Sequence, residues 1–251
     1  MAKDSSDTAP RISRFWPFRR VYYGWAVVVA GVFSSFAVVP TQGPIVGLFV
    51  QPVRDDLGWS ATAISLGFVA GTLAGGFFSW SIGGLLDRRG ARMINVVSGF
   101  IIAAAMVGLS LMTSPWHFWL FFGIARGVSA SGSQLSTMVS LASWFVRKRG
   151  RVVGLIGTGQ RFGQAVLPLP IFAIMVAFSW REAWLVLAGI VVLLQVVPSA
   201  LFVRRRPEDY GLLPDGQPLG DGDAQMEAFG DDVEETWTLQ EAKRTRTLWL
   251  L

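Results

Sequence analysis

Apolar residues come in long, nearly unbroken blocks along this chain, not in the alternation of a half-buried strand or the one-sided stripe of a surface helix. The blocks occupy about 22–50, 60–86, 93–113, 117–145, 152–178 and 183–203, with short polar and basic stretches between them. Roughly 20 residues of helix cross a hydrocarbon core about 30 Å thick, so each block is long enough to span one. In lipid every backbone N–H and C=O must be paired within its own segment, which leaves helices as the structure for these blocks. Pro40 and Pro44 interrupt the first block and predict a break there. The pattern predicts an all-α membrane protein with six transmembrane helices.

Composition agrees with that reading. The 251 residues are 52% hydrophobic and 16% charged, against roughly 25% charged in soluble domains, and mean hydropathy is +0.46. There is no Cys and a single His, His117, so no disulfide framework, thiolate chemistry or transition-metal centre is expected, and no cofactor. The net charge of +5 comes from short basic clusters without interleaved aromatics, which does not suit nucleic acid.

Those clusters set the predicted orientation, because Lys and Arg accumulate on the cytoplasmic side. Arg11, Arg14, Arg19 and Arg20, then Arg88, Arg89 and Arg92, then Arg147, Lys148, Arg149 and Arg151, then Arg204, Arg205 and Arg206 fall on one side; Arg54 and Arg181 fall on the other. The N-terminal segment 1–21 and the stretch after the sixth block are therefore predicted to be cytoplasmic, in an inner (plasma) membrane. The first block is too long, and lacks the small-residue cleavage site, for a removable signal peptide. Trp16, Trp25, Trp59, Trp116, Trp144, Trp180 and Trp184 lie near the block ends, as an interfacial belt requires. Residues 204–236 form a Gly-, Pro- and acid-rich linker ending in Asp231, Asp232, Glu234 and Glu235, and 237–251 reads as a basic amphipathic segment running into the start of a seventh span. A longer parent protein, with a second six-span half after this one, is the expectation.

Within the blocks, Gly67, Gly71 and Gly75, and also Gly159 and Gly163, recur at four-residue spacing and predict close helix contacts. A central Arg costs at least about 2.5–3.5 kcal/mol in a membrane, so intramembrane Arg residues are candidates for function. Arg126 and Arg161 each lie about ten residues into their block, roughly 15 Å deep at 1.5 Å per residue. Ser129, Ser133 and Ser136 or Thr137 follow Arg126 at helical spacing, and Gln160 and Gln164 flank Arg161. No Asp, Glu or Lys lies deep in any block. Positive charge with hydrogen-bond donors suits an organic anion, whose carboxylate an Arg can hold through two parallel bonds. Arg126, Arg161, Gln160, Gln164, Ser129 and Ser133 are the candidate binding residues; the alternative is that each Arg pairs with backbone carbonyls or with an acid beyond this chain.

Between the second and third blocks runs Gly83-Gly-Leu-Leu-Asp87-Arg88-Arg-Gly90-Ala-Arg92, which resembles the signature loop of the major facilitator superfamily. The resemblance implies a cytoplasmic gate formed by Gly83, Asp87, Arg88, Gly90 and Arg92. Tyr23-Gly-Trp25, Leu57-Gly-Trp-Ser60, Trp144-Phe-Val-Arg-Lys-Arg-Gly150 and Arg206-Pro-Glu-Asp-Tyr-Gly-Leu-Leu-Pro-Asp-Gly216 extend it toward the monocarboxylate and oxalate/formate antiporter-like branch. It departs at Ala91, where a basic residue is usual, and at Ile45, which follows Pro44 where eukaryotic monocarboxylate carriers have a Lys. The family resemblance implies the N-terminal bundle of a secondary transporter, with spans one, four and five lining a cavity and a small solute carried by alternating access, as symport or exchange.

Other classes fit less well. Gly127-Val-Ser129 resembles an intramembrane protease nucleophile, but the single His lies at the edge of the same block and leaves no base. Gly157-Thr-Gly159-Gln-Arg-Phe-Gly163 lacks dinucleotide-loop spacing and follows no strand. A six-span sensor or assembly subunit, or an inactive half-transporter, is the remaining alternative.

Overall fold

The structure, a computed structural model, describes residues 22–204, 207 and 214–216, without the side chains of 74–84, 87 and 88. The basic start 1–21 with Trp16, Arg205 and Arg206, most of the linker and the segment 237–251 lie outside the described residues.

Each apolar block becomes helix, and short polar or Gly/Pro positions end one run and begin the next. Helix α1 (Gly24–Ala37) stops before Pro40, passes through a 3₁₀ turn at Val39–Thr41 and an extended Gln42, and resumes as α2 (Gly43–Leu57), with Pro44 in its first turn. Proline has no N–H to donate, so it breaks a helix interior yet fits a first turn. Gly58, at φ 69°, closes α2 by donating its N–H to the Arg54 carbonyl at 2.9 Å. The Ser60 hydroxyl then accepts the Ala63 N–H at 3.2 Å and opens α3 (Ala61–Arg89). Gly90, at φ 80°, turns the chain directly into α4 (Ala91–Ser110).

After α5 (Pro115–Val128) a π turn at Ser129–Gln134 leads into α6 (Leu135–Trp144). Helix α7 (Arg149–Val166) gives way at Leu167 to α8 (Pro168–Ala177). The last run is α9 (Trp180–Val191), a second π turn at Val192–Val196, and α10 (Val197–Phe202). A 3₁₀ turn at Pro214–Gly216 completes the described chain. No strand occurs among the described residues.

The first run ends at Leu57, two turns beyond the predicted 50, because nothing between Pro52 and Leu57 opposes helix strongly enough to stop it before Gly58. Among the described residues, Gly24–Leu57, Ala91–Ser110, Arg149–Ala177 and Trp180–Phe202 are long and apolar enough to cross a membrane, and Ala61–Leu73 is a shorter apolar helix.

Close packing of small residues sets the helix pairs. A Cβ on Gly67 would stand 2.6 Å from the Phe118 ring, and one on Gly71 would stand 3.1 Å from both Arg126 Cβ and Gly123 Cα, so glycine is what lets α3 lie against α5. The same holds where α7 meets α1: a Cβ on Gly159 would stand 2.7 Å from the Val32 carbonyl oxygen, and one on Gly163 2.9 Å from Val39. The two predicted glycine faces are thus interfaces; Gly75 is outside the described side chains. One large core gathers Ile45, Phe49, Ile102, Met106, Phe122 and Leu187; a second, at the end where α1 begins, gathers Tyr23, Val27, Leu141, Trp144 and Phe145.

The tryptophans correct the interfacial-belt expectation in part. Trp25 and Trp116 are exposed, whereas Trp144, Trp180 and Trp184 are buried. Trp184 stacks on Phe49 with ring centroids 4.1 Å apart, and the Trp144 indole donates to the Arg204 carbonyl oxygen at 3.3 Å. An indole with a backbone acceptor in reach fills a core as well as it fills an interface.

Candidate solute-binding face

Helix α7 has two contrasting sides. Gly159 and Gly163 press it onto α1, while around Gly150, Gly154 and Gly157 nothing lies within 4 Å of where a Cβ would sit. Only 17% of the most apolar stretch of Arg149–Ala177 is buried, against 67% for Gly24–Leu57. An open side of this kind is available to a ligand or to another protein segment.

Arg161 is exposed, near the middle of that run. Its Nη1 donates to Gln164 Oε1 at 3.2 Å, and Gln164 Nε2 donates to Gln42 Oε1 at 2.7 Å. The chain of three polar groups exists because the Pro40/Pro44 break leaves Gln42, 9% exposed, in an extended residue between two helices. No acidic side chain among the described residues pairs with Arg161, so its remaining donors are unclaimed. Gln160 lines a neighbouring cavity of about 400 Å³, together with Ser35, Gln134, Thr137 and the apolar Met138 and Ile156. The cavity sits where α1, the first π turn, α6 and α7 meet.

Arg126 is in a different place. It is half-buried on α5, with its guanidinium carbon 5.3 Å from the centre of the Phe68 ring on α3, and its Nε is buried without a hydrogen-bond partner. Face-on contact with an aromatic ring offsets part of the cost of holding a cation there. No contact joins Arg126 to Arg161 among the described residues.

Ser129 and Ser133, predicted to face the solute, lie inside the bundle at 0% and 1% exposure. Ser129 Oγ accepts from Thr41 Oγ1 at 3.1 Å, and Ser133 Oγ accepts from Gln195 Nε2 at 2.7 Å. Gln195 also reaches the Asn95 carbonyl oxygen at 3.0 Å and Asn95 Oδ1 at 3.1 Å, while Asn95 Nδ2 reaches Ser34 and Thr137, both at 3.3 Å. Buried polar groups need partners, and these serines find theirs on neighbouring helices. Gln42, Asn95 and Gln195 had no sequence signal beyond being polar residues in apolar blocks.

Of the predicted gate residues, the side chains of Gly83, Asp87 and Arg88 are outside the described set. Gly90 makes the turn between α3 and α4, and Arg92 Nη2 donates to the Ala200 carbonyl oxygen at 2.6 Å, tying α4 to α10. Nearby, Asp215 accepts three backbone N–H groups from the loop before α7: Val146 at 3.0 Å and Arg147 at 2.7 Å on Oδ2, and Lys148 at 3.2 Å on Oδ1. At the opposite ends of the helices Arg181 Nη1 donates to Asp56 Oδ2 at 2.7 Å, and the Trp180 indole donates to the same oxygen at 3.2 Å. The Ser179 hydroxyl donates to Glu182.

The profile described as Major Facilitator Superfamily matches residues 29–251. The chain is 26% identical over 220 residues to "MFS-type transporter 1" of Ophiocordyceps sp. (strain BCC 1869), covering 82% of this chain and 46% of that protein. It is 28% identical over 184 residues to human "Monocarboxylate transporter 7", covering 71% and 34%. It is 26% identical over 154 residues to the "Probable L-galactonate transporter" of Escherichia coli (strain K12), covering 61% and 34%. The chain spans less than half the length of each of these relatives. With a match over most of its length, an all-helical bundle and apolar helices of membrane-crossing length, the chain belongs to the major facilitator superfamily of membrane transporters.

Proposed function

We propose that this chain is the first, six-span half of a secondary transporter that moves a small organic anion by alternating access, and that Arg161, steadied by Gln164, is its carboxylate-binding group. The observation that carries the proposal is an exposed guanidinium in mid-helix, on a run whose most apolar stretch is only 17% buried, with no acid beside it among the described residues. The cost of an Arg at that depth is offset when a carboxylate arrives and takes two parallel hydrogen bonds. Gln164 and Gln42 hold the guanidinium from one side, leaving its other donors for the ligand. The cavity beside Gln160 supplies neutral donors and acceptors for the rest of a small solute. Two relatives are named for carboxylates, a monocarboxylate and the sugar acid L-galactonate, which supports the same class.

In this reading all six helical runs cross the plasma membrane, the basic loops face the cytoplasm, and a second bundle closes over the open side of α7. Sites between repeats near the midplane, with one bundle rocking on the other, are the general design of such carriers. Asp87, Arg88 and Arg92 would form the cytoplasmic gate, and Arg126, under Phe68, a second positive charge whose unpartnered Nε awaits a group from the facing bundle.

The test is uptake of labelled small carboxylates by the full-length protein in proteoliposomes, with an imposed pH gradient or an internal counter-anion. Arg161→Gln should abolish saturable uptake while leaving a monodisperse, folded protein, and Arg161→Lys should restore only part because it lacks the planar fork. Wild-type uptake by Arg161→Gln would remove the assignment.

A further inference from the structure

Where α3 ends, α4 begins and α10 ends, three arginines surround one cavity. Arg89, Arg92 and Arg204 line a space of about 460 Å³ whose remaining wall is Gly90, Met93, Val96 and Ala200. Arg92 spends one donor on the Ala200 carbonyl oxygen, whereas Arg89 and Arg204 have no side-chain partner among the described residues. Three like charges around one space repel one another unless an anion sits between them. The first turn of α4, whose cap residue Gly90 brings no capping side chain, faces this corner of the fold, and its free N–H groups can donate to a phosphate. The carboxyl ends of α3 and α10 converge on the same corner and oppose the α4 dipole, so the arginines carry the attraction.

The apolar surroundings say which kind of phosphate. On α4 an exposed apolar row starts at the cavity wall with Met93 and continues through Val97 and Phe100, 44%, 43% and 55% exposed. On the adjoining run a second row, Leu193, Val197 and Leu201, 63%, 41% and 56% exposed, ends beside Ala200 and Arg204. Both helices that form the cavity therefore carry an exposed apolar row leading to it along the helix axis. A free anion has no use for such rows; acyl chains do.

We propose that this cavity is a binding site for the phosphate headgroup of an anionic membrane phospholipid, held by Arg89, Arg204 and the first turn of α4, with its acyl chains lying along the two apolar rows. Basic pockets between helices at a membrane surface recognise such headgroups, each basic residue contributing about a five-fold change in affinity. The volume falls in the range of small-molecule pockets and accommodates a glycerophosphate group. Arg92 acts as a positioning residue, since its bond to Ala200 keeps α4 and α10 together at the mouth.

The experiment uses the full-length protein in phosphatidylcholine nanodiscs, with spin-labelled phosphatidylglycerol or spin-labelled phosphatidylcholine as probe and the immobilised fraction as readout. The wild type should retain phosphatidylglycerol over phosphatidylcholine by at least about five-fold, and Arg89→Gln/Arg204→Gln should bring the ratio close to one. A Lys148→Gln/Arg151→Gln variant removes two charges from the same end of the bundle, outside the cavity, and should keep the wild-type preference. An equal loss in both double variants would reduce the effect to diffuse surface charge and overturn the site. So would preference unchanged in Arg89→Gln/Arg204→Gln. Inorganic phosphate at millimolar concentration should compete weakly; full displacement by it, with no preference between the two lipids, would make the site one for a free anion and overturn the lipid assignment.

Discussion

Asp215 offers the sharpest test of the fold outside the bilayer, because one carboxylate accepts from three consecutive backbone N–H groups just ahead of α7. Its backbone is at φ 60°, a conformation that glycine adopts freely, so Asp215→Gly removes all three hydrogen bonds without adding strain. A hydrogen bond of this kind is worth about 0.5–1.5 kcal/mol net, and loss of a helix N-cap costs about 0.5–2 kcal/mol. Two of the three donors are on exposed residues, which argues for about 2 kcal/mol in all, not the sum of the upper values. In hydrogen exchange, 2 kcal/mol of lost protection is about a 30-fold faster rate at the Val146, Arg147 and Lys148 amides. Asp215→Asn keeps one acceptor oxygen and tolerates the same φ, so it should give about five-fold. Exchange within about two-fold of wild type in Asp215→Gly would show that these bonds do not hold the loop, and the link from the end of the bundle back to α7 would have to be discarded.

Gly159→Ala should cost about 1–3 kcal/mol, because its Cβ would meet the Val32 backbone, while Gly157→Ala, in open space, should be neutral or slightly stabilising; thermal unfolding of the detergent-solubilised pair decides it, and equal melting points would refute the α1–α7 contact. Gln195→Leu should destabilise by about 2–3 kcal/mol, since it strands Asn95 and Ser133 in a fully buried position; a loss below about 0.5 kcal/mol would mean the network is not holding the helices together. Asp56→Asn removes the charge that Arg181 meets at 2.7 Å and should lower the melting point slightly, and Arg181→Gln should add little once Asp56 is replaced; fully additive losses in that double-mutant cycle would refute the pairing.

The helical runs were legible in the sequence because length and hydrophobicity alone decide them, and Gly58, Gly90 and Ser60 end or start helices by local chemistry. What the sequence did not reveal depends on which face meets which neighbour. Ser129 and Ser133 have the spacing of one helix face, but spacing does not say that this face meets Thr41 and Gln195, residues 88 and 62 positions away. The Arg161–Gln164 bond was legible as a pair three residues apart, whereas its extension to Gln42, 122 positions away, was not. Tryptophan suits both interface and core, so its position near block ends left Trp144 and Trp184 undecided until their partners were known.

The two π turns have a consequence for how this chain can tolerate insertions and deletions. Each turn holds one residue more than an α-helix needs, wound into about the same rotation, so the bulge absorbs that residue locally. Removing one residue such as Ala130 from Ser129–Gln134 would let the helix relax to regular winding with α6 still on its present face and Thr137 within reach of Asn95. The same loss within Val192–Val196 would leave Ser199 near Ser34. A deletion in the regular winding of α5 or α9 has no such slack and would turn everything beyond it by about 100°. The two turns are thus the places in their runs where one lost codon leaves the following half-helix facing its own partners.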